Sequence, residues 1–311
     1  MARYAFLLPA YKAPFLDETL KSIVSQTYTD FTVLVSDDCS PENIYDICKP
    51  YLKDSRFSYR RNDNNMGSKS LVSHWNLLVS LCDTEYFILA SDDDVYDAHF
   101  LERIDSLVSK YPDLDLFRAR TCRIDDKSVC FDVERISEEF ESQISFLDSM
   151  FSPHQVHCIG NYVFKTKHLM DKGGFMDFPL AWFSDDATVI LCSEKGIANT
   201  NEPLFCFRIS SINISHNKSS DRISAKKKVL ACCKFYDWMN QYNISYEPSS
   251  YNYHLLSRIK KDYRQRIYNL IMTYYQLLDL NAFWRLIKWM KKSGLERSTI
   301  NRIILILKWL K

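Results

Sequence analysis

The sequence predicts an α/β protein built on a doubly wound sheet. Strand and helix patterns alternate four times in the first part of the chain, with short links between them. The strand segments are short, unbroken apolar runs, which are typical of strands buried on both faces of a parallel sheet. Acidic or polar residues follow several of these runs, and parallel sheets bind ligands at the carboxyl ends of their strands.

The first half of the chain places these elements in a regular order. The predicted strands are Arg3–Leu8, which Pro9 ends, Thr32–Val35, Phe57–Arg60 and Tyr86–Ala90. Apolar residues at helical spacing predict helices between them, at Leu16–Gln26, from Pro41 onward and at Ser70–Cys82. Proline begins a helix well because it has no amide hydrogen to lose at the first position.

The second half is less regular. We expect helices at His99–Lys110, Ser142–Met150 and Ala187–Lys195, and strands at Leu114–Ala119, Ile159–Phe164 and Leu204–Arg208. From about Ser224 the pattern is helical to the end of the sequence. This organisation predicts one domain at residues 1–220 and a helical, basic C-terminal region at residues 221–311.

Three consecutive acids follow the strand Tyr86–Ala90. After Ser91 the chain continues with Asp92, Asp93 and Asp94. Two like charges about 4 Å apart repel by roughly 4 kcal/mol at an effective dielectric of about 20. A divalent cation with oxygen ligands would remove that repulsion and could also hold a diphosphate. The alternative is a solvated acidic loop that caps the following helix without any metal.

The composition excludes several function classes. With only 6 glycines, the chain has no G-x-G-x-x-G and no G-x-x-x-x-G-K-[ST], so dinucleotide-binding and P-loop sites lack their phosphate cradle. Its 10 cysteines include no C-x-x-C, which argues against a zinc site or a disulfide scaffold and predicts reduced thiols in a cytosol. The apolar run before Pro9 is too short for a signal peptide, and no stretch approaches the roughly 18 apolar residues of a spanning helix.

The C-terminal region is strongly basic. Residues 251–311 carry a net charge of +10, whereas the residues before them carry −9. In Leu280–Lys292 an apolar face that includes Trp284 lies opposite a basic face that includes Arg285, and Ile300–Leu307 repeats the pattern. Such helices bind anionic membrane surfaces, or they pack their apolar face on the preceding domain. The sequence leaves both alternatives open.

Several motifs occur in a fixed order over about residues 4–215. They are P-A-Y, V-S-D-D-C-S, N-x-G with H-W-N-L-L, E-Y-F-I-L-A-S-D-D-D, G-G-F, S-D-D-A and a late F-R. This order resembles the family 2 glycosyltransferases of the GT-A fold, a nucleotide-diphospho-sugar transferase fold, here with a helical C-terminal extension. The resemblance implies an inverting hexosyl- or N-acetylhexosaminyl-transferase. It would move a sugar from a nucleotide-diphosphate donor, expected to be UDP-linked, to a hydroxyl of a surface glycan such as capsule or lipopolysaccharide.

The resemblance also implies a nucleotide site. Pro9 and Tyr11 match positions that contact the base, with the Tyr11 ring stacked on it, and Asp38 matches an acid that accepts a hydrogen bond from uracil. Tyr11 could instead be a core aromatic, and Asp38 could cap the next helix together with Ser40. Lys69 is a candidate diphosphate partner, with a solvated surface role as its alternative.

The acidic triplet matches the metal and ribose motif of the family, with one departure. Family members commonly read D-S-D-D, whereas Ala90 replaces the first aspartate in this chain. Aligned on Ser91, Asp92 would hold the ribose and Asp93 would bind Mg²⁺ or Mn²⁺. Aligned as D-x-D, the pair would be Asp92 and Asp94. The cation would neutralise the diphosphate as the bond to the sugar breaks.

Asp186 matches the catalytic base of the family, in a position where E-D is usual and Asp185-Asp186 stands here. A carboxylate that takes the acceptor proton is worth about 10²–10⁴-fold in rate. The alternative for Ser184-Asp185-Asp186 is a helix cap. Asp185, Gly174 and Arg208 are further candidates for contacts with the acceptor or the diphosphate.

These expectations imply a cytoplasmic enzyme, peripheral on the inner face of the membrane, with a glycan or lipid-linked glycan acceptor and no nucleic-acid partner. Two other protein classes are alternatives. Sugar-1-phosphate nucleotidyltransferases resemble one another in a G-G-x-G-T-R loop after the first strand, and this chain has P-A-Y-K-A-P there. A non-catalytic sugar-nucleotide or glycan-binding subunit is the alternative that Ala90 leaves open.

Overall fold

The structure is a computed structural model that describes residues 2–151, 155–210, 222–242, 244, 247–248 and 250–295. Its strands are β1 (Tyr4–Ala10), β2 (Phe31–Asp37), β3 (Phe57–Arg61), β4 (Tyr86–Leu89), β5 (Val95–Tyr96), β6 (Leu116–Ile124), β7 (Cys130–Val133), β8 (Phe140–Glu141), β9 (Tyr162–Lys165) and β10 (Ile197–Arg208). Its α-helices are α1 (Leu16–Val24), α2 (Ile44–Cys48), α3 (Leu71–Ser80), α4 (Phe100–Lys110), α5 (Gln143–Met150), α6 (Thr166–Asp171), α7 (Ser184–Cys192), α8 (Arg222–Gln241), α9 (Tyr251–Tyr274) and α10 (Leu280–Ser293).

The chain divides into two units. The first contains Met1–Asp177 and Ser184–Asn217, and the second contains Phe178–Phe183 and Lys218–Lys311. We call them the sheet unit and the helical unit. The predicted boundary at residue 220 lies outside the described residues.

The strands of the sheet unit form one mixed sheet. Among the described residues its order is β3-β2-β1-β4-β9-β6-β10-β5, with β7 beside β6 and β8 beside β10. Strands β1, β2, β3 and β4 run parallel, and β6 runs parallel to β10, whereas β9 is antiparallel to both β4 and β6. The predicted α/β fold with a largely parallel, doubly wound sheet is confirmed.

The strand order reverses beside β1. The chain passes from β1 to β2 and β3 on one side, and then returns to place β4 on the other side of β1. At such a switch point the loops that leave the two neighbouring strands turn in opposite directions and leave a crevice at their carboxyl ends. This crevice lies where β1 leads to Tyr11 and Lys12, and where β4 leads to the acidic triplet.

Aromatic packing fills the sheet core. The rings of Tyr4 and Tyr86 stack with centroids 5.6 Å apart across β1 and β4. The Phe6 ring meets that of Tyr96 edge to face at 5.1 Å. Fully burying a side chain such as Phe contributes roughly 1.5–3 kcal/mol. These residues are fully or almost fully buried, which explains why their strands read as unbroken apolar runs.

Several element boundaries differ from the sequence prediction, among them the start of β10, which is Ile197 and not Leu204. Strand β1 continues through Pro9 to Ala10, and Pro9 pairs in register with Ser36 of β2. The helix after β2 begins at Ile44, after Pro41, because the Asn43 side chain caps it by accepting a hydrogen bond from the Asp46 amide at 3.3 Å.

In the helical unit, α10 buries only part of its predicted apolar face. Phe283, Ile287 and Met290 are buried, whereas Leu280 is 75% exposed and Trp284 is 55% exposed. The predicted pattern at Ile300–Leu307 lies outside the described residues. None of the described helices has both the length and the apolar character needed to cross a membrane.

Candidate active site

The loop after β1 is tied to the loop after β4. One carboxylate oxygen of Asp92, Oδ2, accepts hydrogen bonds from the backbone amides of Tyr11 at 2.8 Å and Lys12 at 2.7 Å. The ammonium group of Lys12 lies 2.7 Å from Asp93 Oδ2 and 3.5 Å from Asp92 Oδ1. The crevice therefore has a lysine charge inserted between two almost fully buried carboxylates.

The charges at this junction perturb one another. Burial lowers the pKa of Lys12, but the carboxylates of Asp92 and Asp93 outweigh burial, and the net shift is upward. Burial raises the pKa of Asp92, against the opposing effect of the Lys12 charge. Lys12 is thus held as a cation and partly compensates the acids. The sequence analysis did not identify Lys12. A lysine just after the end of β1, together with three acids just after the end of the neighbouring strand β4, could have indicated it.

Asp94 lies deeper than the other two acids. It is 1% exposed, its Oδ1 accepts the Arg208 backbone amide at 2.9 Å, and its Oδ2 has no hydrogen-bond partner among the described residues. Burial raises the pKa of Asp94 well above its ordinary value, and the charge of Asp93 raises it further. A buried carboxylate oxygen without a partner is costly, and a bound cation would satisfy it.

These acids fit a divalent cation in the chemistry of their donors. Mg²⁺ and similar cations take carboxylate oxygens, and one or two carboxylates suffice where substrate phosphates complete the shell. Among the described residues, no three His, Cys, Asp or Glu side chains are arranged so that they could hold a metal ion together. Asp93 and Asp94 would be the protein ligands, and Lys12 would have to leave Asp93.

The Arg208 side chain points into the protein. Its Nε donates to the Asp93 carbonyl at 2.7 Å, and its Nη2 contacts Glu18 Oε2 at 2.6 Å. Its Nη1 donates to the Asp125 carbonyl at 2.9 Å and to Ser128 Oγ at 3.0 Å. The guanidinium is fully buried. Through these contacts Arg208 positions the backbone that carries the acidic triplet. The expected contact of Arg208 with a diphosphate stays a prediction.

Asp38 organises the N-x-G turn. Its Oδ1 accepts from Asn62 Nδ2 at 2.8 Å and from the Met66 amide at 2.9 Å, and its Oδ2 accepts from the Gly67 amide at 2.7 Å. The alternative interpretation of Asp38 as a helix cap is wrong, because Asn43 caps α2. Its carboxylate is 3% exposed and has three donors, and its contact with uracil stays a prediction.

The remaining residues of the expected nucleotide site differ in exposure. The Tyr11 ring is 41% exposed, so its alternative role as a core aromatic is wrong. Ser40 Oγ donates to the Tyr11 carbonyl at 2.6 Å and holds this loop, a contact that sequence reasoning did not find. Pro9 and Ser91 are half-buried, and Lys69 is exposed.

Asp185 and Asp186 lie in the first turn of α7, where Asp185 Oδ1 accepts the Asp186 amide at 3.0 Å. Both side chains are half-buried. Burial raises the pKa of Cys158, and the charges of Asp94 and Asp185 add to the shift. The convergence of Asp186 with the acidic triplet stays a prediction.

Gly174 shapes the turn that precedes α7. It has φ +84°, and a Cβ there would lie 2.6 Å from Asn76 Oδ1. That Oδ1 accepts the Phe175 amide at 2.7 Å, and Asn76 Nδ2 donates to the Phe175 carbonyl at 3.1 Å. The turn is thereby fastened to α3, and the absence of a side chain at Gly174 permits the close approach.

Comparison with known proteins adds a family match. The family described as "Glycosyl transferase family 2" matches residues 6–161. The structure is similar to that of S. aureus TarS 1-349 in complex with UDP-GlcNAc, with a TM-score of 0.69 and 14% identity over 96% of this chain and 83% of that chain. It is also similar to the mannosyltransferase PcManGT from Pyrobaculum calidifontis in complex with GDP-Man and Mn²⁺, with a TM-score of 0.57 and 14% identity over 96% of this chain and 81% of that chain.

Proposed function

Because the chain belongs to glycosyl transferase family 2 and has the GT-A fold, we propose that this glycosyltransferase is an inverting enzyme with a UDP-linked donor. It transfers one sugar to a hydroxyl of a surface glycan or a lipid-linked glycan. The observation that carries the proposal is the crevice between β1 and β4, where the backbone of Tyr11 and Lys12 binds Asp92. The predictions of family, fold and enzyme class are confirmed.

The donor site in this proposal lies across that crevice. The half-exposed ring of Tyr11 offers a stacking surface for the base, beside Pro9 and the loop that Asp38 holds. Asp92, Ser91 and the exposed ammonium group of Lys69 face the ribose and the phosphates. The nucleotide sugars bound by the two similar structures, UDP-GlcNAc and GDP-Man, support a donor of this class.

The diphosphate is bound by cations in the proposed complex. Asp93 and Asp94 would hold Mn²⁺ or Mg²⁺, which would supply positive charge against the leaving diphosphate. Lys12 then moves its ammonium group from Asp93 to a phosphate oxygen, which adds a second positive charge on the leaving group. The Mn²⁺ in the mannosyltransferase complex supports a divalent cation.

Asp186 is the proposed general base. Its carboxylate accepts the proton of the acceptor hydroxyl while that oxygen attacks the anomeric carbon from the face opposite the diphosphate. The new bond forms as the bond to the diphosphate breaks, so the configuration at the anomeric carbon inverts. Asp185 holds the first turn of α7 through the Asp186 amide and lies beside the acceptor.

Transfer and binding together test this assignment. Asp186→Asn should lower sugar transfer by about 10²–10⁴-fold, because the amide cannot accept the proton. UDP binding with Mn²⁺, measured by calorimetry, should stay at the wild-type level. Asp171→Asn, which removes an exposed carboxylate on α6, is the matched control and should leave both unchanged. If Asp186→Asn transferred sugar at the wild-type rate, Asp186 would not be the general base.

The helical unit offers a surface for the proposed anionic membrane. Leu280 and Trp284 are exposed on α10, and Arg222, Lys226 and Arg285 help to line a cavity of about 540 Å³ beside Leu280. Exposed apolar groups next to basic ones suit an interface with anionic headgroups. We place the enzyme on the inner face of the cytoplasmic membrane, where a lipid-linked acceptor would reach it.

Vesicle sedimentation tests the membrane proposal independently of transfer. The protein should sediment with phosphatidylglycerol vesicles at low salt and remain in the supernatant with phosphatidylcholine vesicles. Trp284→Glu should reduce sedimentation because it places a negative charge in the contact. Equal sedimentation with both lipids, or none with either, would contradict the proposal.

A further inference from the structure

Two cysteines of the sheet unit are directly opposed on neighbouring strands. Cys122 of β6 and Cys206 of β10 are register partners in the parallel pair, and their sulfur atoms lie 2.7 Å apart. All ten cysteines have free thiols in this structure. The two thiols are therefore already placed side by side by the sheet, without any rearrangement of the chain.

The two thiols differ in reactivity. Cys122 is buried, whereas Cys206 is partly exposed. The hydrogen bond between them raises the pKa of Cys122 and lowers the pKa of Cys206. The thiolate is the form that reacts with oxidants, so Cys206 is the reactive member and Cys122 is the partner that can respond to it.

The adjacent pair Cys232-Cys233 provides a contrast. Both of its thiols are buried in the helical unit, and burial raises the pKa of Cys232 to about 12. Buried cysteines in apolar surroundings are usually inert. The two cysteines that are adjacent in the sequence are therefore not the reactive pair. Cys122 and Cys206, which are far apart in the sequence, are brought together by the register of the sheet.

We propose that Cys122 and Cys206 form a reversible thiol modification site that hydrogen peroxide converts to a disulfide. The Cys206 thiolate attacks one peroxide oxygen, the O–O bond breaks, and the departing hydroxide takes a proton to become water. The Cys122 thiol then loses its proton and attacks the Cys206 sulfenic acid, and the S–O bond breaks with release of a second water. Both thiols are oxidised by one electron each, and the peroxide is reduced to two waters.

The cross-link would form next to the acidic triplet. Cys206 also pairs with Val95 of β5, the residue that follows Asp94, and β10 continues to the positioning residue Arg208. A covalent bond there would fasten β6 to the strand that holds the triplet. The inference concerns the thiols alone, so its test needs no sugar transfer and does not depend on the proposed function.

Mass spectrometry and thiol counting on the full chain test the site. After treatment with a small excess of hydrogen peroxide, the mass should fall by about 2 Da. Titration of the unfolded protein with a thiol reagent should then find two fewer of the 10 cysteines. Dithiothreitol should restore both values. Peptide mapping should join the peptide of Cys122 to that of Cys206.

Serine variants separate this pair from its neighbours. Cys206→Ser should keep its remaining thiols under the same treatment, and Cys122→Ser should accumulate a Cys206 sulfenic acid that dimedone traps. Cys82→Ser removes another partly exposed thiol, and Cys130→Ser removes the exposed thiol on β7 next to Cys122. Both controls should still lose two thiols. Retention of all thiols by the wild type, or a cross-link from Cys206 to Cys130, would overturn the proposal.

Discussion

The charge of Lys12 offers the sharpest test of how the candidate active site is built. Its ammonium group compensates Asp92 and Asp93, whose side chains are only 7% and 9% exposed. Lys12→Met keeps the apolar stem and removes the charge. We expect the variant to be less stable than the wild type in chelator, and to regain stability when a divalent cation takes the place of the ammonium group.

The size of the effect follows from burial. Removing one partner of a buried ion pair costs about 3–5 kcal/mol because it leaves an uncompensated charge. The Lys12 side chain is 24% exposed, and Asp92 also accepts two backbone amides, so the lower end of this range applies. A loss of about 3 kcal/mol in a unit of this size should lower the melting temperature by roughly 6–12 °C.

Thermal unfolding with and without Mn²⁺ measures both halves of this prediction. Lys12→Met should melt below the wild type in chelator, and Mn²⁺ should raise its melting temperature more than that of the wild type. The reason is that Mn²⁺ must displace the ammonium group in the wild type but not in the variant. Lys21→Met is the matched control, because it removes an exposed lysine 2.6 Å from Asp17 and should cost only about 0.5 kcal/mol.

Two results would refute the reasoning. A melting temperature for Lys12→Met in chelator that equals that of Lys21→Met would mean that the acids do not need the Lys12 charge. Equal Mn²⁺ stabilisation of the wild type and Lys12→Met would mean that lysine and metal do not compete. Both results come from thermal unfolding alone, so neither requires a sugar donor, an acceptor or an activity assay.

Two further predictions concern Gly174, in the turn before α7, and His74, on α3. Both Gly174→Ala and Gly173→Ala place a side chain at positive φ, which lowers the free energy of unfolding by roughly 1–2 kcal/mol. Only the new side chain of Gly174→Ala meets Asn76. Urea unfolding should therefore show an additional loss of about 1–3 kcal/mol in Gly174→Ala compared with Gly173→Ala. An equal loss in both variants would contradict the close contact. Burial lowers the pKa of His74 below its ordinary value of 6.5, against the opposing charge of Asp38. The folded protein therefore favours the neutral imidazole, and this contribution to stability is fully present above pH 6.5. It is lost as the pH falls below 6.5, because the unfolded chain binds the proton first. The urea midpoint of His74→Gln should therefore fall less than that of the wild type between neutral and mildly acidic pH, and parallel curves would refute this assignment.

Part of the site could be read from the order of residues alone. The apolar run Tyr86–Ala90 stops where three acids begin, and the structure ends β4 at Leu89 with those acids at its carboxyl end. The polarity of successive side chains is a local property of the chain, so the point at which a buried run ends can be read from the sequence. The α/β class follows for the same reason, because both faces of the parallel strands must be apolar.

Other features could not be predicted because they depend on pairs far apart in the chain. Lys12 meets Asp93 across 81 positions, and Arg208 meets Asp93 across 115. A late F-R motif indicates an arginine near a ligand, but not that its guanidinium is buried against Glu18. The sequence predicts that α2 begins at Pro41, but it begins at Ile44 because the Asn43 side chain caps it there.

The amino-acid sequence by itself determined the alternation of elements, the family and the set of acids available for chemistry, because each is written in local polarity and in the order of motifs. Only the tertiary structure decided which groups face one another. The reversal of strand order beside β1 brings the Lys12 loop to the acidic triplet, and the register of β6 with β10 sets Cys122 against Cys206. Such pairings arise from sheet topology and long-range packing, which act between residues that the linear chain keeps apart.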